Sequence, residues 1–343
     1  MPEAPGSAPR SPERVDASVL VPVLDEEEYI HEALAAMRAQ EFDGTLEFLF
    51  LDGGSKDRTR EILEEAAAED GRFRVIDNPG RRTPNALNVG LRSARGDYIV
   101  RMDAHTLYPG DYVAHGVERV RRGDVAWAAG AAAPYGPGRR SRQVALALES
   151  KVGTGGSLFR HVWEHEIDIP SGFAGVMHRE TLERHGGWDE DWPINQDAEL
   201  SARIRKGGGR IVCLPEMTAG YIPRNSFRSL ARQYLRYGHY RAKTSARHPE
   251  TVRRSHLLPP ALVLTLVAAL VAPRALRRPA RAALALYVLA LAAEGARIAR
   301  RNCPQDALAL PAVFATMHVA WGLGMLHGAA RFGVPADALR RIS

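Results

Sequence analysis

Short apolar runs that stop at acidic residues recur through the first third of the chain, and this pattern limits what the chain can fold into. Ser18-Val19-Leu20-Val21-Pro22-Val23 leads into Asp25-Glu26-Glu27-Glu28. Leu46 to Leu51 stops at Asp52, Phe73 to Asp77 forms a similar run, and Asp97 to Met102 stops at Asp103. Runs of this length bounded by turn residues predict buried strands. Between them lie helical patterns: Ile30, Leu34 and Met37; Thr59 to Glu69; and Thr83 to Ala94 with Ala86, Leu87, Leu91 and Ala94 apolar. The acids from Asp25 onward are expected in a first helical turn, where they complement the helix dipole. Strands alternating with helices predict an α/β fold with a mostly parallel sheet covered on both faces. Ligands of such sheets bind outside the carboxyl ends of the strands. The acidic clusters at Asp25 to Glu27, at Asp52 and at Asp103 with His105 therefore converge on one candidate site. Crowded carboxylates are unfavourable unless a cation or several hydrogen-bond donors lie among them.

The rest of the chain reads differently. Beyond Asp124 the pattern loosens, with Gly and Pro dense from Gly130 to Gly138 and from Gly153 to Gly156; loops and short helices are expected to about Tyr221. Phe227 to Ala246 reads as a basic helix carrying Tyr234, Tyr237 and Tyr240. From Leu257 three apolar stretches follow: Leu257 to Ala272, which contains Pro259 and Pro260, then Ala282 to Ala293, then Ala307 to Ala330. Crossing a bilayer takes about 20 apolar residues. The third stretch reaches that length, and the first two suit short spans, re-entrant segments or interfacial helices; an ordinary helical subdomain is the competing reading. Arginines crowd both junctions, at Arg274, Arg277, Arg278 and Arg281 and at Arg297, Arg300 and Arg301. Consecutive single spans cannot keep both junctions on the cytoplasmic side. The expected organisation is a disordered leader over 1–16, an α/β domain over 17–250, membrane-associated or transmembrane helices over 257–330, and a tail over 331–343.

Composition enters where it excludes classes. The 343 residues and 45% hydrophobic content suffice for one large domain or two smaller ones. A formal net charge of +6 suits a nucleic acid or an anionic membrane surface. Aromatic residues do interleave with arginine between Arg224 and Arg254, but no RNA- or DNA-binding motif accompanies them, so no nucleic-acid partner is expected. Cys213 and Cys303 form no CxxC pair, which leaves a disulfide framework or a zinc ribbon without support and fits a reducing cytosol. The polar start lacks the apolar core of a signal peptide, so the catalytic part is expected in the cytoplasm.

Two clusters carry chemistry on their own terms. Asp103 and His105 alternate at a strand end, so both point the same way and can reach one divalent ion; mixed carboxylate and imidazole ligation suits Mn²⁺ and tolerates Mg²⁺. A solvated turn is the plain alternative. Asp52-Gly53-Gly54-Ser55 offers an acceptor followed by two glycines that let backbone approach a base or ribose closely; an ordinary strand-to-helix turn explains it as well. Two decoys remain. His161-Val162-Trp163-Glu164-His165 fits the inverted zinc-protease pattern H-x-x-E-H without a third ligand in sight. Gly153-Thr154-Gly155-Gly156-Ser157 lacks the Gly-Lys-Ser/Thr ending of a P-loop.

Taken in order, Pro22-Val23-Leu24-Asp25-Glu26-Glu27, Asp52 to Thr59, Ala86-Leu87-Asn88-Val89-Gly90, Asp103-Ala104-His105, Gly186-Gly187-Trp188-Asp189-Glu190, Gln196-Asp197-Ala198-Glu199-Leu200 and Gln233 to Gly238 resemble the motifs of family 2 glycosyltransferases, over about Ser18 to His256. The branch that it most resembles is the bacterial exopolysaccharide one, which includes succinoglycan-biosynthesis enzymes and also carries a hydrophobic tail.

The resemblance implies a GT-A fold and an inverting transfer from a nucleoside-diphosphate sugar, UDP favoured, to a lipid-linked or polysaccharide acceptor at the bacterial inner membrane. It implies that Pro22, Val23, Glu26 and Asp52 hold the nucleoside, with Gly53 and Asn88 counted among the donor-binding residues. Asp103 contacts a metal held by the diphosphate, with His105 as the second candidate ligand; Gln233 and Arg236 lie near the diphosphate or acceptor; Asp197 is the general base. A helix N-cap is the structural alternative for Asp197. His105 replaces the second acid of the usual Asp-x-Asp motif, and Gln196 stands where many relatives carry Glu, which changes the charge beside the base. A catalytically silent nucleotide-sugar-binding scaffold on the same fold is the competing function.

Overall fold

The computed structural model describes residues 14–335. Its first part is built from β1 (Ala17–Val23), α1 (Ile30–Arg38), β2 (Leu46–Asp52), α2 (Thr59–Glu69), β3 (Phe73–Asp77), α3 (Thr83–Ser93) and β4 (Tyr98–Arg101). These four strands pair in parallel in the order β3-β2-β1-β4. Their side chains alternate between two buried faces. Val19, Val21, Phe48 and Phe50 pack with α1 and α2, while Leu20, Leu49 and Leu51 pack with α3. Helix α1 starts at Ile30, so Asp25 to Glu28 precede it in the turn rather than occupy its first turn.

The second part follows as β5 (Thr106–Leu107), α4 (Tyr112–Arg121), β6 (Trp127–Pro134), α5 (Arg139–Glu149), the single turn α6 (Lys151–Thr154), β7 (Ile167–Asp168), β8 (Gly175–His178), α7 (Arg179–Arg184), α8 (Gln196–Lys206) and β9 (Ile211–Tyr221). The sheet order is β3-β2-β1-β4-β8-β6-β9-β5, with β7 paired to β9. Here the sheet departs from the mostly parallel one expected. Strand β8 runs antiparallel to both β4 and β6, and β5 and β7 run antiparallel to β9, so the sheet is mixed. The expected loop region also holds two long strands. β6 and β9 pair in parallel with a register shift between Gly130 and Ala132, and Pro215 lies within β9. Proline inside a sheet is tolerated at such irregularities.

The chain ends in α9 (Phe227–Arg247), α10 (Leu258–Val271), α11 (Arg274–Arg301) and α12 (Ala309–Phe332). Pro259 and Pro260 fall in the first turn of α10, where a missing N–H costs nothing. The segments Arg254–Val271, Arg274–Arg301 and Ala309–Phe332 are long and apolar enough to cross a membrane. They are not packed apart from the rest. Val144 and Leu148 of α5, Leu230 of α9, Leu291 and Ile298 of α11 and Phe314 and Met317 of α12 share one buried cluster. Helices α9 and α12 touch backbone to backbone: a Cβ at Gly324 would lie 2.1 Å from the Leu235 carbonyl, and one at Gly238 2.1 Å from that of Trp321. A core therefore crosses the 250/257 division expected from composition.

Of the expected leader, residues 1–13 lie outside the described residues. Val15 is buried, and the Asp16 carboxylate accepts the Thr45 N–H at 2.9 Å, so the fold begins before residue 17. Of the expected tail, 336–343 lie outside the described residues, and Arg331 and Phe332 end α12.

Candidate active site

The site starts where β1 and β2 end side by side, Val23 opposite Asp52. Two turns lock together there. The Asp25 carboxylate accepts the Lys56 N–H at 2.7 Å, and Glu27 accepts the Arg58 N–H at 3.3 Å. In return, Ser55 Oγ accepts the Asp25 N–H, Thr59 Oγ1 the Glu26 N–H, and Asp57 the Glu27 N–H. The crowded acids are thus tolerated because backbone donors satisfy them. Asp25 adopts a left-handed φ of 54° to make this corner, a conformation that Asp tolerates better than most residues. Asp52 is buried and closes its own turn. Its Oδ1 accepts the Ser55 N–H at 3.0 Å and the Ser55 hydroxyl at 2.7 Å, and Arg60 lies 3.4 Å from its Oδ2.

The next layer was not readable as a motif. Arg101, the last residue of β4, is 6% exposed and holds two carboxylates at once. Its Nη1 donates to both oxygens of Asp197, at 2.7 and 2.6 Å. Its Nε and Nη2 donate to Asp103 at 3.0 and 3.2 Å. Asp197 sits in the first turn of α8, after Asn195 turns the chain at a left-handed φ of 62°. Burial pushes the Asp197 carboxyl above its ordinary range; Arg101 pulls it back down, and the negative charge of Asp103 pushes it up again. The buried indole N–H of Trp188 has no close hydrogen-bond partner and acts on the same carboxylate.

Beside this pair, His105 Nδ1 lies 3.3 Å from Glu26 Oε1. The hydrogen bond to Glu26 raises the His105 pKa against the opposing effect of burial, and Asp103 adds to the rise.

Glu26, Arg101, Asp103, His105 and Asp197 line one cavity of about 1490 Å³, with Gln233 and Tyr237 of α9 on its wall. Gln233 Nε2 donates to the hydroxyls of Tyr221 and Tyr237, at 3.2 and 3.1 Å. The sequence-based residues thus divide. Glu26, Asp103, His105, Asp197 and Gln233 meet at the cavity. Pro22, Val23, Asp52 and Gly53 form the corner behind it and do not line its wall. Asn88 of α3 grips the backbone of Trp188, accepting its N–H at 2.9 Å and donating to its carbonyl at 2.8 Å, so it positions the loop that leads toward α8. Arg236 is exposed and off the wall.

Asp103 and His105 supply one carboxylate and one imidazole toward the cavity. Hard divalent cations accept one or two protein ligands and complete their shell with substrate phosphates and water. The pair fits a cation that arrives with a diphosphate. Among the described residues no three His, Cys, Asp or Glu side chains gather into a protein-only metal site, which also disposes of the H-x-x-E-H decoy.

A mixed sheet in this order, with carboxylates at the strand ends facing one cavity, defines a GT-A type of fold. The sequence profile described as "Glycosyl transferase family 2" matches residues 18–186. The succinoglycan biosynthesis protein ExoA of Rhizobium meliloti (strain 1021) is 32% identical over 315 residues, which cover 89% of this chain and 92% of that protein. An undecaprenyl-phosphate 4-deoxy-4-formamido-L-arabinose transferase of Pseudomonas aeruginosa (strain LESB58) is 34% identical over 143 residues, 40% of this chain and 42% of that protein. Among solved structures, the mannosyltransferase PcManGT of Pyrobaculum calidifontis, in complex with GDP-Man and Mn²⁺, shares the fold with a TM-score of 0.58 at 23% identity, covering 93% of this chain and 90% of that one. The chain belongs to glycosyltransferase family 2 and is a glycosyltransferase.

Proposed function

We propose that this glycosyltransferase transfers a sugar with inversion from a nucleoside-diphosphate sugar, UDP-linked in our reading, to a hydroxyl of a lipid-linked or growing polysaccharide acceptor at the bacterial inner membrane, with its catalytic domain in the cytoplasm. The observation that carries this is the Arg101 guanidinium shared by Asp103 and Asp197 at the cavity wall. One guanidinium thereby brings together the carboxylate we assign to the donor side and the one we assign to the acceptor side.

In this reading Asp197 takes the proton of the acceptor hydroxyl while the hydroxyl oxygen bonds to the anomeric carbon. The bond from that carbon to the diphosphate breaks, and its electron pair leaves with the nucleoside diphosphate. A hydroxyl is a poor nucleophile at neutral pH, so a positioned carboxylate helps. Burial raises the pKa of that carboxyl, and Arg101 works against it by favouring the ionised form. Asp103 and His105 would hold a divalent cation, Mn²⁺ or Mg²⁺, which neutralises charge on the leaving diphosphate. Arg224 and Arg160, both on the cavity wall, add positive charge for the same diphosphate.

The relatives support the acceptor class: one is a succinoglycan biosynthesis protein, and another is an undecaprenyl-phosphate 4-deoxy-4-formamido-L-arabinose transferase. The three apolar helices support the membrane. The test is a screen of nucleotide sugars on membranes containing the protein, reading nucleoside diphosphate release with and without Mn²⁺ or Mg²⁺. Release that depends on one sugar nucleotide and on the cation is expected. No turnover with any donor would favour a silent scaffold.

A further inference from the structure

The cavity does not end at the catalytic carboxylates. Gln233, Tyr237 and Arg241 follow one another at four-residue spacing on α9, so they share one face of the helix, and all three line the cavity. Arg241 lies about 6 Å beyond Tyr237 along the helix axis, on the side away from Gln233. Arg205 near the end of α8 and Arg253 just after α9 line the same end of the cavity. Beyond them the wall turns apolar, with Leu258 and Leu262 of α10 and Met317 and Trp321 of α12. One continuous space therefore runs from carboxylates, past arginines, to the apolar helices.

These arginines are unusual in having no acid to hold. Among the described residues, none of the three guanidinium groups takes part in an ion pair or side-chain hydrogen bond, unlike those of Arg101, Arg119 and Arg203; Arg241 and Arg253 are half-buried and Arg205 is exposed. Glu250 lines the cavity nearby, but its carboxylate lies 3.6 Å from His248 instead. Burial pushes Arg241 down to about 10, with Arg253 adding to the effect; burial lowers Arg253 as well, helped by Arg205. No carboxylate acts on either group in the opposite sense. Both remain charged at neutral pH, so the folded chain carries a partly desolvated, self-repelling pair of cations at Arg241 and Arg253, with exposed Arg205 beside them. Such a cluster carries a cost to folding that a bound anion would relieve.

We propose that Arg241 and Arg253, flanked by Arg205, bind the phosphate of a lipid whose hydrocarbon tail lies along α10 and α12, which makes them the anchor for the acceptor. This rests on the glycosyl-transfer reading above and adds to it the acceptor's phosphate and the residues that hold it. The lipid, rather than a free anion, is the occupant because the apolar wall continues directly from the arginines. The outer surface of α10 is also apolar and exposed, Leu264 at 58% and Leu270 at 73%, so the slot opens beside a bilayer-facing helix. The donor's diphosphate has its own charges at the other end, near Asp103, His105 and Arg224.

The test uses full-length protein in detergent micelles, titrated with farnesyl phosphate, farnesol and inorganic phosphate. The same titrations are run on Arg241→Gln, Arg253→Gln and the double variant. Farnesyl phosphate should bind the wild type at least tenfold more tightly than either farnesol or inorganic phosphate. The double variant should lose tenfold or more toward farnesyl phosphate, while its affinities for farnesol and for the nucleotide-sugar donor stay within twofold of wild type. Equal binding of farnesyl phosphate by wild type and double variant overturns the proposal. So does inorganic phosphate binding as tightly as farnesyl phosphate, which would make the cluster a free-anion site, and so does a parallel loss of donor affinity, which would assign the arginines to the donor. Because the arginines lack protein partners, the variants should melt no lower than wild type; a substantial drop in Tm would mark them as structural and overturn the assignment. If the farnesyl phosphate contrast holds while no nucleotide sugar binds, the glycosyl-transfer reading fails and the phosphate site stands.

Discussion

Arg101 and Asp197 meet at 2.6 Å, although 96 residues separate them in the sequence. Arg101 reaches the site from the end of a central strand, and Asp197 from the first turn of α8. The same guanidinium holds Asp103. Asp197, proposed above as the base, and Asp103, proposed as the donor-side ligand, are thus tied to one rigid cation, so a change at either is expected to be felt at the other.

Replacing Arg101 with Gln should therefore shift the pH profile. Burial already lifts the Asp197 carboxyl, and Arg101 is the group that pulls it down. Without Arg101 it rises further, so a larger share of the enzyme carries a protonated, inactive base at a given pH. The acid limb of kcat/KM should move to higher pH, with the loss greater at acid than at alkaline pH. Removing one partner of a buried pair also costs about 3–5 kcal/mol. The sign of the pH effect on stability follows: a carboxyl raised in the folded state favours folding when protonated. The variant should thus regain stability as pH falls through that raised value and be weakest above it. A pH–rate profile and melting curves across pH check both; an unmoved acid limb contradicts the role given to Arg101.

Cation dependence is the second expectation. Asp103 and His105 together supply too few ligands to hold an ion without a diphosphate, so a cation should bind weakly alone and much more tightly with the donor present. Asp103→Ala should weaken donor binding in the presence of Mn²⁺ and do little in its absence. Calorimetric titration of the donor with Mn²⁺ or excess chelator measures this. Undiminished transfer in chelator would remove the cation from the account.

The contact between α9 and α12 gives a third. A side chain at Gly324 meets the Leu235 carbonyl at 2.1 Å, a backbone contact that cannot yield cheaply. Gly324→Val should cost about 1–3 kcal/mol by overpacking, read as a lower Tm, whereas Leu323→Val on the half-exposed side of the same helix should do little. The shared core gives the companion result. Truncation before Leu257 should uncover Leu230 and the apolar face of α5, so the fragment should aggregate in detergent-free buffer. A monodisperse truncated fragment would mean that the α/β part closes its own core.

Much of the first half was legible because strand and helix periods alternate cleanly there. Helix α2 and strand β3 fall where the pattern puts them, from Thr59 to Glu69 and from Phe73 to Asp77. β6 and β9 were not legible. β6 reads Trp-Ala-Ala-Gly-Ala-Ala-Ala-Pro, with no β-branched residue, and β9 carries Pro215; tertiary pairing overrides these weak local preferences. In the site, the carboxylates were visible at strand ends, but their holder was not. Arg101 did leave a signal: an arginine in an apolar strand, two residues before Asp103 and so on the same face, has to find an acid. Asn88 and Asp52 were visible as motif residues, yet their side chains are committed to backbone brackets behind the cavity. No period or spacing reveals that.

The most direct measurement is a comparison of wild type with Asp197→Asn in sugar transfer and in donor binding. The substitution keeps the size of the side chain and removes its ability to take a proton. If Asp197 is the general base, the transfer rate should fall about 10²–10⁴-fold, while the dissociation constant of the nucleotide sugar, measured with the divalent cation present, should stay within about twofold. Transfer at a near-wild-type rate by Asp197→Asn would contradict the account.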